Sequence, residues 1–214
     1  MSKIITLTSD WGLSTPYAAM FKALILKQCP HASIVDITHD VDTFNIEMGV
    51  FLLSSAYPFF PEETVHVFNV DYYNNDQESK YMQAHKNHSF ELLSFVDYLA
   101  VKYKGHYFLG INNGFFSLLC KQLNDIEEIV KLPRCNDFDT IRTFDAIPFL
   151  LKPAIALSEN IPLSKIGEPY SIEKIEILKT KTPLVRKSDE KGIVVEFGVK
   201  YIDNYGNIIT DLHK

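Results

Sequence analysis

The chain has 214 residues, of which 46% are hydrophobic, and a formal net charge of −6 with its histidines neutral. That length and apolar content can bury the core of one domain with a small appendage, while an acidic balance with scattered Lys and Arg excludes partners bound through a phosphate backbone, so no nucleic acid is expected. Cys29, Cys120 and Cys135 are odd in number and lack CxxC spacing, which points to neither a disulfide framework nor a zinc site. No run approaches the roughly 18 uninterrupted apolar residues of a membrane span, and the N-terminus has no signal-peptide pattern. A cytoplasmic protein with no membrane partner is expected.

Strand and helix signals alternate from the N-terminus. Residues 4–9 read as a strand running into Asp10, Trp11 and Gly12. Residues 16–28 carry apolar positions at helical spacing, with Pro16 near the first turn. Residues 34–37 read as a short buried strand, and 45–57 as a second amphipathic helix stopped by Pro58 and Pro61. Residues 64–70 form the strongest β run, which ends on Asp71. Such alternation predicts a parallel sheet.

The polar stretch after Asp71 reads as a loop at the carboxyl end of a strand, where sites are built. Residues 89–101 fit an amphipathic helix or a strand pair equally. Residues 105–110 read as a strand entering the turn Asn112-Asn113-Gly114, which starts a helix over 115–122. Pro, Lys and Glu enrichment from 162 to 191 marks a linker. Residues 192–212 alternate as a β-hairpin around Asn204-Tyr205-Gly206-Asn207 and open a second, β-rich unit.

Asp10 ends a strand of an open α/β sheet, the place where ligands bind. A carboxylate there can accept two hydrogen bonds from a vicinal diol such as a ribose; equally, it can cap the helix that follows. The histidines fit no zinc motif, and His31 and His66 read as structural or solvated. No metal is assigned.

Four segments in order resemble one family: Thr8-Ser9-Asp10-x-Gly12; Ile34-Val35-Asp36-Ile37-Thr38-His39; Ala56-Tyr57-Pro58-Phe59-Phe60-Pro61-x-x-Thr64-Val65-His66; and Tyr201-Ile202-Asp203-x-Tyr205-Gly206-Asn207-x-x-Thr210. Together they are similar to the S-adenosyl-L-methionine (SAM) hydroxide adenosyltransferases, adenosine-forming SAM hydrolases related to fluorinase and chlorinase. The resemblance implies an α/β domain with a mainly parallel central sheet over 1–165, a linker over 166–191, and over 192–214 the start of a small C-terminal β-barrel domain. It also implies a homotrimer with sites shared between subunits. SAM is the implied substrate, with no cofactor, cleaved by in-line attack of an activated water at the ribose C5′ to give adenosine and L-methionine. A sulfonium is already a good leaving group, so positioning and partial desolvation of the water carry the chemistry.

By the same resemblance Asp10 takes the ribose-diol position. Phe44 takes that of an aromatic near the ribose and sulfonium, although a hydrophobic staple for the following helix accounts for it equally. Asp71 matches the acidic member of a water-positioning trio. Asp203, Tyr205 and Asn207 match a hairpin that meets the methionine amine and the adenine, against the alternative of a plain turn. The family's arginine after Asp71 is absent and Lys80 is the nearest cation, a point charge in place of a bidentate fork. The family's histidine is replaced by Asp145, which with Asp71 makes a carboxylate pair able to share a proton or orient water. These two changes motivate the alternative of a catalytically impaired SAM- or adenosine-binding paralogue. The chain also stops soon after the hairpin, which reads as a fragment or a reduced barrel.

Overall fold

The computed structural model describes residues 4–71, 96–135, 146–180, 183–188, 192–210 and 212. Four strands, β1 (Ile4–Ser9), β2 (Ser33–Thr38), β3 (Val65–Asn69) and β5 (His106–Ile111), pair in parallel in the order β2-β1-β3-β5. The sheet then continues through antiparallel pairings to β4 (Tyr98–Tyr103), β6 (Ile126–Lys131) and the two-residue β7 (Glu168–Pro169). Because β4 and β7 alone are reversed, five of the seven strands share one direction. The ambiguous segment 89–101 is thus resolved at its end, where β4 begins at Tyr98; residues 72–95 lie outside the described part.

Side chains alternate across a strand, and the two faces of this sheet receive different company. Ile5, Leu7, Val65, Val67 and Leu109 form one face. They pack against helix α1 (Tyr17–Gln28) and a buried helical run that starts as a π-type turn at Ile147–Leu151 and continues as α4 (Lys152–Ser158). The opposite face meets α2 (Ile46–Ala56) and the short α3 (Phe115–Leu119). There Phe68 stacks on Phe115 with centroids 4.1 Å apart, and Gly49 of α2 lies so close to Phe68 that a Cβ would come within 2.9 Å of the ring. Coverage of both faces is what a parallel sheet requires, and every residue of β3 is buried.

Strand β2 departs from the expected buried strand. Among the described residues it is the edge of the sheet, with only β1 beside it, and Val35 is 40% exposed. The expected linker over 166–191 is also replaced by structure. Residues 168–169 pair with β6, Asn112 binds the 170–176 segment, and β8 (Leu184–Ser188) is a strand. The chain divides into the units Met1–Ile177 and Leu178–Lys214. In the second unit β8 pairs with β9 (Gly192–Glu196), and β10 (Val199–Ile202) pairs with β11 (Ile208–Thr210), both antiparallel. Its described residues thus make two two-stranded ribbons, the β-hairpins with which the small C-terminal β domain was expected to start.

The α2 face holds a polar cluster inside the core. His66 Nδ1 lies 2.7 Å from Thr6 Oγ1 and its Nε2 3.2 Å from His106 Nδ1, with the edges of Tyr57 and Phe60 against the ring. One neutral tautomer satisfies both contacts. Burial, reinforced by the neighbouring His106, pushes the His66 pKa down to about 3, and burial lowers that of His106 as well.

An unfolded histidine takes up its proton near pH 6.5. Below that value the unfolded state therefore binds more protons than the folded one, and stability falls as the pH drops from about 6.5 towards about 3. Thermal melts between pH 7 and pH 5, above the carboxylate range, are expected to show a falling Tm. His66→Phe should flatten that slope; an unchanged slope in the variant would place its origin elsewhere.

Candidate active site

The carboxyl ends of β1, β2, β3 and β5 meet at one edge of the sheet, and the loops that leave them are tied together by backbone hydrogen bonds. Gly12, at φ 73°, turns the chain after β1 and donates its N–H to His39 O at 2.7 Å. A residue with a Cβ reaches that left-handed conformation only with strain. Val41 N–H donates to Ser9 O, which joins the β2 loop to the β1 loop.

Asp10 sits half-buried where these loops converge. Burial raises its pKa, and hydrogen bonds from the backbone amides of Phe44, Asp10 itself and Asp71 oppose that rise. The Phe44 amide donates to Oδ2 at 3.1 Å. An amide donated by Asp71 means that Asp10 and Asp71 share this edge, as expected from two strands ending on acids. The capping alternative for Asp10 does not hold, because α1 begins after Pro16, six residues further on, and has no side-chain cap.

Phe44 adopts φ 65°, a conformation that is strained for a non-glycine residue. It immediately precedes Asn45, whose side chain caps α2 by accepting from Met48 N–H at 3.0 Å. A hydrophobic staple would pair Phe44 with the fourth helical residue, but that residue is Gly49, and Phe44 is 59% exposed.

Ser9, His39, Asp36 and Lys22 form a chain behind Asp10 that the sequence reading did not single out. Ser9 Oγ lies 2.7 Å from His39 Nδ1. His39 Nε2 is 3.1 Å from Asp36 Oδ1, without the alignment of a hydrogen bond, and Asp36 accepts from Lys22 at 2.7 Å. Burial holds the His39 pKa down against the pull of Asp36. The Trp11 ring stacks on the imidazole, 5.5 Å away and 11° from parallel. Since Ser9 and His39 are both buried, the group braces the 9–12 loop instead of presenting a nucleophile.

Asn69 is a second residue found only in the structure. It lies buried at the end of β3, its Nδ2 3.4 Å from Asp71 Oδ1, and its Oδ1 has no hydrogen-bond partner among the described residues. At the end of β5, Asn113 donates to Val70 O at 3.1 Å. Neighbouring Asn112 donates to Lys174 O and Tyr170 Oη and accepts from Glu176 N–H, which fastens residues 170–176 to this strand end. Lys80 and Asp145 lie outside the described residues.

Asp203, Tyr205 and Asn207 form a constellation of their own in the second unit. The Asp203 carboxylate accepts from the Tyr205 and Asn207 amides and from Asn207 Nδ2, at 2.9, 2.8 and 2.7 Å. The Asn207 side chain, with these amides, lowers the Asp203 pKa. Gly206 at φ 84° completes the turn, and the Tyr205 ring stands 93% exposed. Within the single chain this is an Asx-stabilised hairpin turn. No described helix is long and apolar enough to cross a membrane.

Residues 5–92 match the model of the SAM hydroxide adenosyltransferase N-terminal domain. The chain is 28% identical to an (R)-S-adenosyl-L-methionine hydrolase of Methanocaldococcus jannaschii, an alignment covering 99% of this chain and 67% of that protein. It is 26% identical to a fluorinase of Nocardia brasiliensis, over 99% of this chain and 71% of that one. The crystal structure of an uncharacterized conserved protein from Thermotoga maritima superposes with a TM-score of 0.72 at 27% identity, covering 98% of this chain and 71% of the other.

Proposed function

We propose that the chain, whose residues 5–92 match the SAM hydroxide adenosyltransferase N-terminal domain, is a hydrolase of that family converting SAM to adenosine and L-methionine. The observation that carries the reading is the Asp10 carboxylate, fixed by backbone amides from two loops and from the end of β3, with Asp71 beside it. Held in that plane, its outward lone pairs accept from the two ribose hydroxyls. Phe44, exposed and bonded to Asp10 through its amide, supplies an aromatic face for the ribose and the cationic sulfonium.

In this proposal Asp71 and Asn69, whose side chains lie together at the end of β3, hold the attacking water. The water oxygen attacks C5′ opposite the sulfonium. The C5′–O bond forms as the C5′–S bond breaks, the electron pair passes to sulfur to give the thioether of methionine, and the water proton passes to the Asp71 carboxylate and on to solvent. Lys80 and Asp145 complete the set by resemblance. A carboxylate at the nucleophile position favours water over halide, because it repels an anion. No cofactor is required.

Asp203, Tyr205 and Asn207 are proposed to reach the methionine and adenine ends of SAM bound to a neighbouring subunit in a homotrimer. The exposed apolar side chains of the second unit support such an assembly, among them Val185, Ile193, Val199 and Ile208.

Purified protein incubated with SAM is expected to release adenosine, followed by chromatography. Asp71→Asn should lower kcat by roughly 100-fold or more with little change in KM. SAM binding without turnover would instead identify the impaired paralogue. Asp10→Ala removes charge-assisted hydrogen bonds worth roughly 1.5–3 kcal/mol each, so calorimetry should find adenosine bound at least about tenfold more weakly; unchanged affinity would reject the ribose assignment. Light scattering should give three times the 24.5 kDa chain mass. A monomer that still binds SAM would remove the shared site.

A further inference from the structure

At the edge of the sheet opposite Asp10, three chemically distinct donors converge from two parts of the chain. Cys29 caps the end of α1, its N–H donating to Ile25 O at 2.7 Å. A tight turn, closed by Ala32 N–H to Cys29 O at 3.0 Å, carries His31 before β2 begins. Glu159 caps the end of α4, its N–H shared between Ile155 O and Ala156 O. The Cys29 Sγ, one ring nitrogen of His31 and one carboxylate oxygen of Glu159 all lie within 4.8 Å of one another. We propose that Cys29, His31 and Glu159 form a binding site for a divalent cation of the zinc class, with water as the fourth ligand.

Thiolate, imidazole and carboxylate are the donors that zinc uses, and three protein ligands with one open position is a known coordination pattern for it. Zinc–sulfur and zinc–nitrogen bonds of about 2.3 and 2.0–2.1 Å in a tetrahedron place sulfur and nitrogen about 3.6 Å apart. Here Cys29 Sγ and His31 Nε2 are 3.7 Å apart. Backbone hydrogen bonds at two helix ends hold the donors, so little ordering remains to be done when the ion binds. Both of those ends are C-terminal, where the helix dipole favours a cation. His31 and Glu159 are exposed while Cys29 is 0% exposed, so the ion enters from the imidazole and carboxylate side and the thiol forms the floor. Burial and the adjacent Glu159 carboxylate raise the thiol pKa, which a bound cation would reverse with release of the proton. The spacing Cys-x-His alone suggests no zinc motif; the third ligand is 128 residues further along the chain and joins it only in the fold. The bound ion would pin the α1–β2 turn to the end of α4, remote from Asp10.

The test uses the full chain stripped of metal by a chelator and titrated with Co²⁺ or Zn²⁺ alone. One Co²⁺ per chain is expected, with a thiolate-to-cobalt charge-transfer band that Cys135→Ser keeps and Cys29→Ser loses. Zn²⁺ should raise the Tm. Because Cys29 is fully buried and its replacement can perturb folding, the decisive variants are the exposed ones, His31→Ala and Glu159→Gln. Each should fold as the parent does and lose about tenfold or more in Zn²⁺ affinity by calorimetry. A charge-transfer band that survives Cys29→Ser, or Zn²⁺ affinity unchanged in both exposed variants, would overturn the site.

Discussion

Parallel pairing of β1 with β3, in the register Ser9 opposite Asn69, is the constraint from which the remaining arrangement follows. Two strands that run side by side in one direction end at the same edge, so Asp10 and Asp71 leave the sheet next to each other, and the Asp71 amide donates to the Asp10 carboxylate. The pairing also obliges the chain to cover both faces of the sheet. It does so with α1 and the 147–158 helix on one side and α2 with α3 on the other. The loops that leave the strands for those helices converge on the edge where the acids emerge.

Polar groups inside this core have different tasks according to where they lie. In mid-sheet, Thr6, His66 and His106 satisfy one another beneath a ring of aromatic edges and make stability sensitive to protonation. At the carboxyl edge, Ser9 and His39 brace the loop that carries Asp10, and Asn112 fastens the 170–176 segment to the end of β5. An unpaired buried polar group is costly, so networks of this kind fix one loop conformation. The strained Phe44 backbone persists within such a frame, held by its amide bond to Asp10 and by the Asn45 cap.

The relatives align over nearly all of this chain, while the chain spans 67% of the archaeal hydrolase and 71% of the fluorinase. Its distinctive features lie where the proposed chemistry is most exacting. Asn69 lies beside Asp71, and the sequence carries Lys80 and Asp145 where the resemblance expects an arginine and a histidine. In the second unit the Asp203 carboxylate is engaged by its own turn, so Tyr205 is the member of that hairpin that stands free of the turn's hydrogen bonds through its exposed ring.

Local signals in the sequence were enough for β1, α1, α2, β3, β5 and the last hairpin, because apolar periodicity, Pro and Gly report on neighbours in the chain. They also placed Asp10 and Asp71 at strand ends, and four ordered motifs pointed to the family. Tertiary structure decided what depends on distant partners. Strand β4 became visible only through its antiparallel neighbours, β2 proved exposed because it is an edge, and residues 166–177, polar enough to read as a linker, are held by β6 and Asn112. The bracing of Ser9 by His39 and the meeting of Cys29 and His31 with Glu159 are likewise products of the fold. A hydrogen bond or a cluster of ligands between residues 30 or 128 positions apart leaves no periodic trace in the chain, and only packing brings the atoms within reach.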